Sequence, residues 1–439
     1  SFFRHCLHVA DTRGIPFMVK YVKSTRLAVT RYISGYPLHV TEDVALDKSG
    51  WPIWLAGFKL NIEAPERARF LLTLLISFRW LKFAPKLDIS PIVKEWQGSD
   101  SVTELEFRHA LKVLGVRPWI GEVWPGFHMS TKSGPQGQAL TSSLTDLTNL
   151  PDTLISDIKI LGGKLLGERV DWLLLPRWGS LSLAAVWAKQ FPSKTKSFRK
   201  LSYFSDKEGK TRVIAILDYW SQSALRGYHS IVNDILRKIK ADCTFNQNSI
   251  FRTLPLRGPY YSLDLSNATD RMPVALQQRV FSYVFGQEKA EAWTRVLTEY
   301  EYTTKEGLRV KYNTGQPMGA YSSWPLMALT HHLIVRVAAL RAGHPHFQAY
   351  CLLGDDLVIA NEAVAKEYLK LCAQLDIPIS DAKSHISQDI FEFAKRWFNA
   401  GTEFTGFSTP GLRSVWKSYA LLHNYLETQA GHGWMLSID

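Results

Sequence analysis

Residues 350–360 have the sequence YCLLGDDLVIA, in which two short apolar runs flank Gly354, Asp355 and Asp356. Adjacent carboxylates between apolar runs are costly to desolvate unless positive charge neutralises them. The pattern predicts a β-hairpin whose turn presents the two acids, with Gly354 supplying the backbone freedom that the turn needs. The stretch therefore indicates a cation-binding turn at the end of two buried strands.

A second acidic cluster lies upstream, where residues 260–271 have the sequence YYSLDLSNATDR. Its apolar run delivers Asp264 at its end, as the hairpin does for Asp355. Two strands that each end in a carboxylate, placed side by side, can hold two divalent metal ions, which clamp the attacking and leaving oxygens of a phosphoryl transfer. The two clusters together predict metal-assisted phosphoryl transfer of the kind that polymerases carry out.

Composition is consistent with a large globular chain that meets a polyanion. The 439 residues allow two or three domains, and 46% hydrophobic content argues against disorder. The net charge of +12 points to a polyanionic partner. The four cysteines show no metal-ligand or disulfide spacing, which favours a reducing compartment. The longest apolar run, residues 70–78, is too short to cross a bilayer and predicts a buried helix.

Residues 206–216, DKEGKTRVIAI, form a basic segment. Lys207 lies in a predicted turn, and Lys210 and Arg212 then alternate on one face of a strand. Two cations on one face can neutralise a triphosphate, and a guanidinium can grip phosphate oxygens in a bidentate manner. A solvated hairpin tip is the simpler alternative for this segment alone; the two acidic clusters favour the phosphate interpretation.

A glycine-rich loop follows at residues 313–325, NTGQPMGAYSSWP, and a long apolar helix is predicted at 326–340. Ser322 or Ser323 is expected to cap this helix. A loop of this kind exposes backbone N–H groups at a helix N-terminus, where phosphate or ribose can bind, although any loop-to-helix junction shares these features. The loop glycines are Gly315 and Gly319.

Two further features are weaker. His331 and His332 are adjacent on the predicted helix and point in different directions, so they are interpreted as structural. Lys383 lies in a polar turn after a predicted helix at 364–375, and a lysine near a departing pyrophosphate can act as general acid. Most lysines in turns are merely solvated, so only the order of the motifs favours this role.

In that order, the basic hairpin, DLSNATD, GQPMG, GDD and the lysine resemble motifs F, A, B, C and D of viral RNA-dependent RNA polymerases. The motif sequences most resemble those of the mitoviruses, which are RNA replicons of fungal mitochondria, and the resemblance extends over roughly residues 125–410. Residues 207–220, KEGKTRVIAILDYW, carry much of this resemblance, as do 330–332, THH, and 391–396, FEFAKR, near motif E.

The resemblance implies roles for the residues that match each motif. Asp264 and Asp355 would hold two Mg²⁺ ions, for which Mn²⁺ could substitute, and Asp356 would support them. Lys383 would give a proton to pyrophosphate. The remaining matched positions would bind the incoming nucleotide through its triphosphate or its ribose: Lys207, Lys210, Arg212, Asp270, Gly315, Gly319, Ser322 and Ser323.

The resemblance also implies an α+β right-hand fold of fingers, a palm built on an antiparallel sheet, and a thumb. We expect an N-terminal, fingers-associated region at 1–125 and fingers at 126–257 that include the basic hairpin. The palm is expected at 258–400, with a fingers insertion near 287–312. Residues 401–439 would begin a thumb, which is short enough to indicate truncation.

Two departures from the family pattern bear on sugar selection. Asp270 follows Asp264 by six residues, where many RNA polymerases have five. An asparagine that is often found after motif B is absent, and its place falls near Met327, which cannot hydrogen-bond a ribose.

Three hypotheses follow from the sequence. The first is RNA-templated RNA synthesis that replicates a viral genome. The second is an inactive polymerase-like relic or fragment that binds RNA. The third is another metal-dependent phosphotransferase or nuclease, which would need neither the ribose-sensing loop nor the basic strand. Expected partners are template and product RNA and ribonucleoside triphosphates, with no membrane span and no obligate protein partner. Residence in a fungal mitochondrion rests on the resemblance alone.

Overall fold

The computed structural model describes residues 1–59, 64–193, 195, 197–381 and 383–435. Helices and strands are mixed along the chain, which confirms the predicted α+β class. The α-helices are α1 Phe2–Arg13, α2 Ile15–Ile33, α3 Ala56–Lys59, α4 Pro65–Ile76, α5 Ser90–Val93, α6 Glu104–Val113, α7 Ser143–Leu147, α8 Asp152–Leu174, α9 Leu183–Gln190, α10 Tyr219–Leu236, α11 Ile250–Thr253, α12 Ala268–Arg271, α13 Val274–Phe285, α14 Gln287–Thr298, α15 Ser323–Arg341, α16 Glu362–Gln374, α17 Thr409–Val415 and α18 Tyr419–Gly431.

The strands are β1 Pro176–Trp178, β2 Leu181–Ser182, β3 Lys200–Ser205, β4 Thr211–Ile216, β5 Tyr260–Asp264, β6 Tyr302–Thr303, β7 Arg309–Val310, β8 Tyr350–Leu353, β9 Asp356–Ile359, β10 His385–Ser387, β11 Ile390–Phe393, β12 Arg396–Asn399 and β13 Thr402–Glu403. Short 3-10 helices span Ile53–Leu55, Ser77–Trp80, Lys207–Gly209 and Gln247–Ser249. No helix in the described part of the chain is long and apolar enough to cross a membrane.

A four-stranded antiparallel sheet in the order β10-β5-β9-β8 lies at the centre. Because successive side chains of a strand point to opposite faces, the apolar strands β5 and β9 are buried on both sides. In β9, Leu357 and Ile359 join the main core, while Val358 joins a second cluster with Phe391 and Phe398 of β11 and β12. The sheet is therefore covered by helices on one face and by the β11–β12 hairpin on the other.

Helix α15 runs through the main core, and its residues from Pro325 to Ala339 are buried. Its apolar residues occupy every side, which is the pattern of a helix with no solvent face. The helix predicted at 326–340 is confirmed as α15, and the helix predicted at 364–375 is confirmed as α16, which packs beside it.

The basic segment also forms a hairpin. β3 and β4 pair from Lys200 opposite Ile216 to Ser205 opposite Thr211, and β6 joins this sheet at Lys200. The strands of the predicted insertion at 287–312, β6 and β7, thus extend the same sheet at its base.

The region predicted as one N-terminal segment, 1–125, divides between two cores. Helices α1, α2 and α4 form a separate apolar cluster with Ile390, Trp397 and Phe404. By contrast, Ile92 and Val123 belong to the main core, as does α6. The domain boundaries stay predictions.

Candidate active site

The acidic turn has the predicted hairpin geometry. β8 and β9 pair up to Leu353 opposite Asp356, which leaves Gly354 and Asp355 as the turn. Gly354 has φ +61°, a left-handed conformation that favours glycine, and a Cβ there would lie 3.0 Å from the indole nitrogen of Trp324. The turn therefore needs glycine both for its backbone conformation and for its fit under the indole ring.

Strand register brings the two acidic clusters together. Asp264, the last residue of β5, lies opposite Asp356, the first residue of β9. The amide of Leu265 donates to the carbonyl oxygen of Asp355 at 3.4 Å. The three carboxylates predicted as one site are thus contributed by adjacent strand ends.

The carboxylates are held where their negative charge is destabilised. Burial, followed by the neighbouring charge of Asp264, raises the pKa of Asp355. Burial, Asp355 and Asp264 likewise raise the pKa of Asp356 well above its ordinary value. Raised carboxylate pKa values from burial and like charge mark a site that added positive charge would stabilise.

Lys383 supplies part of that positive charge. Its ammonium group donates to Oδ2 of Asp264 at 2.6 Å, and its side chain is about half exposed. Lys383 lies in the turn before β10, which pairs with β5, so the sheet itself carries this lysine to the carboxylates. The sequence-predicted proton donor and the predicted metal ligand are therefore in direct contact.

The carboxylates suit a divalent metal by chemistry, since aspartate oxygens are ligands that Mg²⁺ prefers. As their side chains stand, no group of three or more His, Cys, Asp or Glu among the described residues is arranged to hold a metal ion. Asp264, Asp355 and Asp356 are nevertheless the residues that would hold a divalent metal ion, because positive charge would relieve the burial and mutual repulsion of their carboxylates.

The basic hairpin faces this acidic cluster. Burial lowers the pKa of Lys210, as do Arg212 and Lys383, while Asp355 and Asp264 act in the opposite direction. Lys210 therefore lies within electrostatic reach of both acidic strand ends. Arg212 is engaged by a carboxylate of its own hairpin, because its Nε donates to Oδ2 of Asp206 at 2.6 Å.

Lys207, at the tip of the hairpin, lines a pocket of about 180 Å³ with Arg79 and Lys395. Burial lowers the pKa of Lys395, as does the charge of Arg79. Cations from three separate segments thus line one pocket, and Lys395 among them lies within electrostatic reach of Asp356.

The glycine-rich loop packs tightly between the acidic cluster and the basic hairpin. A Cβ on Gly315 would lie 2.2 Å from the carbonyl oxygen of Thr269, and one on Gly319 would lie 2.5 Å from that of Ala215. The backbone amide of Gln316 donates to the carbonyl oxygen of Thr269 at 3.0 Å, and the side-chain amide of Gln316 donates to the backbone carbonyl oxygen of Ser323 at 2.9 Å. Both glycines allow close backbone approach, so the loop holds its two neighbours in register.

The predicted serine cap of α15 is wrong in its chemistry. Ser322 occupies the N-cap position, but its side chain makes no capping hydrogen bond. Its hydroxyl instead accepts from the indole of Trp293 at 2.9 Å, since the residue is wholly buried under α14. The hydroxyl of Ser323 is buried too, and it has no hydrogen-bond partner within the described residues.

Asp270 lies at the end of the short helix α12, against the same loop. Burial raises its pKa to about 7, whereas Arg271 and Lys210 act to lower it. Met327, at the place of the missing asparagine, receives a weak hydrogen bond from the Thr269 hydroxyl at 3.7 Å. It therefore contacts the segment that carries Asp270.

Sequence reasoning missed two contributions to this site. His331 is buried as predicted, but its Nδ1 lies 2.7 Å from the carbonyl oxygen of Gly354, so it contacts the acidic turn directly. Glu392 of β11 was not singled out, yet it is an electrostatic neighbour of Asp356, and burial raises its own pKa to about 7. The sequence FEFAKR marked this segment without indicating that its acid faces the site.

Comparison with known proteins agrees with these features. The mitovirus RNA-dependent RNA polymerase family model matches residues 124–431. The RNA-directed RNA polymerase of Cryphonectria parasitica mitovirus 1 is 34% identical over 430 residues, covering 89% of this chain and 51% of that protein. The chain thus spans about half the length of this relative.

An uncharacterized mitochondrial protein of Arabidopsis thaliana is 44% identical over 176 residues, covering 37% of this chain and 70% of that protein. Among solved structures, an insertion loop deletion mutant of the RNA-dependent RNA polymerase of a human picorbirnavirus has a TM-score of 0.46 and 13% identity. That match covers 77% of this chain and 69% of that chain.

Proposed function

The chain belongs to the mitovirus RNA-dependent RNA polymerase family, and on that premise we propose that it synthesises RNA from ribonucleoside triphosphates on an RNA template. The observation that carries the proposal is the pairing of Asp264 with Asp356 beside the Asp355 turn. In the terms of this family the sheet β10-β5-β9-β8 is the palm, β3–β4 belongs to the fingers, and α17 and α18 begin the thumb.

The three carboxylates would hold the divalent metal ions, Mg²⁺ or in its place Mn²⁺. Bound there, the metals would activate the 3′-hydroxyl of the growing strand and neutralise the pyrophosphate leaving group. The 3′ oxygen forms the new bond to the α-phosphorus, and the bond from that phosphorus to pyrophosphate breaks. Support comes from the raised pKa values of Asp355 and Asp356, which reflect first the burial of these carboxylates and then their repulsion by neighbouring negative charge.

Charged side chains around the carboxylates would handle the triphosphate. Lys210 and Arg212 would grip its oxygens, and Lys207 would extend the positive field at the hairpin tip. Arg212 would exchange its bond to Asp206 for one to phosphate, which a guanidinium can make in bidentate form. Lys383 would leave Asp264 when metal neutralises that carboxylate and then give its proton to pyrophosphate.

Selection of the ribose would fall to the segment where the glycine-rich loop meets α12. Asp270 and Ser323 are the candidates for sensing the 2′-hydroxyl, because one carries a raised pKa and the other an unpartnered hydroxyl within the described residues. Ser322, which is bonded to Trp293, would support the loop, and Gly315 and Gly319 would keep it close to both neighbours.

Replication of a viral RNA inside mitochondria would be the setting. The mitovirus relative and the mitochondrial protein of Arabidopsis support that location. Template RNA, product RNA and ribonucleoside triphosphates would be its partners.

Incorporation of labelled ribonucleotides on a defined RNA template with Mg²⁺ tests the proposal. The chain is compared with its Asp355→Asn form and with Asp389→Asn, which alters an exposed carboxylate in the turn between β10 and β11. We expect template-dependent product from the chain and from the Asp389→Asn control, and a loss on the order of a thousandfold in Asp355→Asn, since bound metal contributes several kcal/mol to such reactions.

The alternatives give different results in the same experiment. An RNA-binding relic would retain template in all three forms and make no product in any. A nuclease would shorten the template in a manner that depends on Asp355. Equal product from all three forms would show that the site is misassigned.

A further inference from the structure

The tip of the basic hairpin is enclosed by the N-terminal part of the chain. Glu208 sits at the tip with φ +56°, an uncommon conformation for a residue with a side chain. Its carboxylate accepts two hydrogen bonds from the guanidinium of Arg26, at 2.5 and 3.2 Å, and Nε of Arg79 lies 3.5 Å away. The Glu208 side chain is 15% exposed and that of Arg26 21% exposed, so this ion pair is largely withdrawn from water.

Two more contacts follow the same side of the hairpin. A Cβ on Gly209 would lie 2.4 Å from the ring of Phe83, which therefore packs directly on the tip. The amide of Lys86 donates to the Thr211 hydroxyl at 2.9 Å, where β4 begins. We call residues 1–86 the N-terminal arm; its residues 60–63 lie outside the described part.

The arm is anchored beside the carboxylates. Its helices α1, α2 and α4 share an apolar cluster with the β11–β12 hairpin, which covers one face of the palm sheet. Arg31 donates to the carbonyl oxygen of Asp381 at 2.6 Å, in the turn that carries Lys383. The single helix α2 thus contacts both places: the hairpin tip through Arg26, and the turn that carries Lys383 through Arg31.

Among the described residues outside the arm, the hydrogen bonds that support the hairpin lie away from its tip, such as the one from the Tyr203 hydroxyl to the Glu306 carboxylate. β6 pairs with β3 only at Lys200, the end farthest from the tip. A two-stranded hairpin is marginally stable without further strands or packing. Lys210 and Arg212 lie next to the tip, so their positions depend on whatever holds Glu208.

We propose that the N-terminal arm positions the basic hairpin for nucleotide binding, and that Glu208, through its ion pair with Arg26, is the positioning residue. The proposal rests on the function proposed above, because it assigns Lys210 and Arg212 to the incoming triphosphate. Glu208 itself touches no substrate in this scheme. Its loss would let the hairpin tip detach from α2 and carry both cations away from the carboxylates.

The test compares Glu208→Gln with a matched control, Glu106→Gln, in the full chain. Glu106 pairs with Arg341 at 2.8 Å, and the two side chains are 18% and 19% exposed, close to the values of the Glu208 pair. Both substitutions weaken a largely buried Arg–Glu pair, but only one of the pairs contacts the basic hairpin.

Two readouts are measured. Hydrogen exchange of the amides at 203–213 reports opening of the hairpin without any need for activity. We expect about a ten- to hundredfold rise in opening in Glu208→Gln, the effect of weakening charge-assisted hydrogen bonds. In templated synthesis, we expect a similar rise in KM for nucleotide with kcat changed less than threefold. Glu106→Gln should leave both readouts as in the unaltered chain, and the exchanged pair Arg26→Glu with Glu208→Arg should recover part of each.

Each contrary result is decisive. Unchanged exchange at 203–213 in Glu208→Gln would overturn the proposal, as would an equal rise of KM in both variants, which indicates a global effect. If the unaltered chain makes no product, the proposed function fails, while the exchange measurement still decides whether the arm holds the hairpin.

Discussion

Replacing His331 with phenylalanine tests how the acidic turn is held in place. His331 is wholly buried, with Nδ1 2.7 Å from the Gly354 carbonyl and Nε2 2.7 Å from the Tyr368 hydroxyl. Burial lowers the pKa of His331 to about 4, so the ring is neutral at pH 7. Because a carbonyl only accepts, Nδ1 carries the proton and Nε2 accepts from Tyr368. The ring therefore links α15, α16 and the turn before Asp355.

The size of the effect follows from these two bonds. Phenylalanine fills a similar volume but leaves the Gly354 carbonyl and the Tyr368 hydroxyl buried without their partner. Each such group costs about 1–3 kcal/mol, so the free energy of unfolding should fall by about 2–6 kcal/mol. Adding Tyr368→Phe removes one of the two orphaned groups and should restore about 1–3 kcal/mol.

A displaced turn should also slow synthesis, since a shift of about 1 Å at reacting groups can cost on the order of a hundredfold. The assays are denaturant unfolding and templated incorporation at a temperature where the variant is folded. The control is His332→Phe, on the same helix, where the ring bonds the Tyr350 hydroxyl at 3.0 Å and Oδ2 of Asp242 at 3.1 Å. We expect comparable destabilisation but an unchanged rate. An unchanged rate in His331→Phe, or equal loss of rate in both variants, would refute the reasoning.

Three other predictions concern the core. Burial and the charge of Asp218 raise the pKa of Asp146 from 3.8 to about 7, so the folded chain holds a proton that the unfolded chain releases between these values. The unfolding free energy should fall as pH rises through that window, and Asp146→Asn should flatten the dependence and stabilise the chain at pH 8, measured by denaturant unfolding. Arg199→Met should cost about 3–5 kcal/mol in the same measurement, because Asp218 would lose a partner 3.0 Å away in a pair with no exposed surface. Gly227→Ala should lower the melting temperature, since its Cβ would lie 1.8 Å from the Val123 carbonyl oxygen and force about 1–3 kcal/mol of strain.

Local patterns in the sequence predicted the elements that carry the acids. The apolar runs that end in Asp264 and flank Gly354 form β5 and the β8–β9 hairpin. They were predictable because a strand that is buried on both faces appears in the sequence as a nearly continuous run of apolar residues. The long apolar helix was equally predictable, since α15 has no solvent face and its composition shows it. The mutual placement of the acids also followed, as adjacent strand ends meet at one edge of a sheet.

Contacts between distant residues were not predictable in this way. Arg26 and Glu208 are separated by 182 positions, and neither has a neighbour in sequence that identifies its partner. The cap at Ser322 was predicted from residue preference, but the indole of Trp293 on α14 takes the same hydroxyl, which is a tertiary effect that overrides a local one. His331 was interpreted as structural. Its hydrogen bond to Gly354 shows that a structural residue can contact the residue that directly precedes a proposed metal ligand, Asp355.

These long-range contacts share one physical purpose. Burial, together with repulsion between like charges, raises the pKa of Asp356 beside its neighbouring carboxylates and lowers the pKa of Lys210 beside Arg212 of the same hairpin. Groups of like charge stay together only where the surrounding packing fixes them, so contacts elsewhere in the fold must offset the free energy of their repulsion. His331 on one side and the pair Arg26–Glu208 on the other are neutral or internally compensated, and they fix the acidic turn and the basic tip without adding net charge. We therefore expect saturating Mg²⁺ together with nucleotide to stabilise the chain more than either ligand alone. Mg²⁺ neutralises the carboxylates, and the triphosphate of the nucleotide neutralises the cations of the basic hairpin.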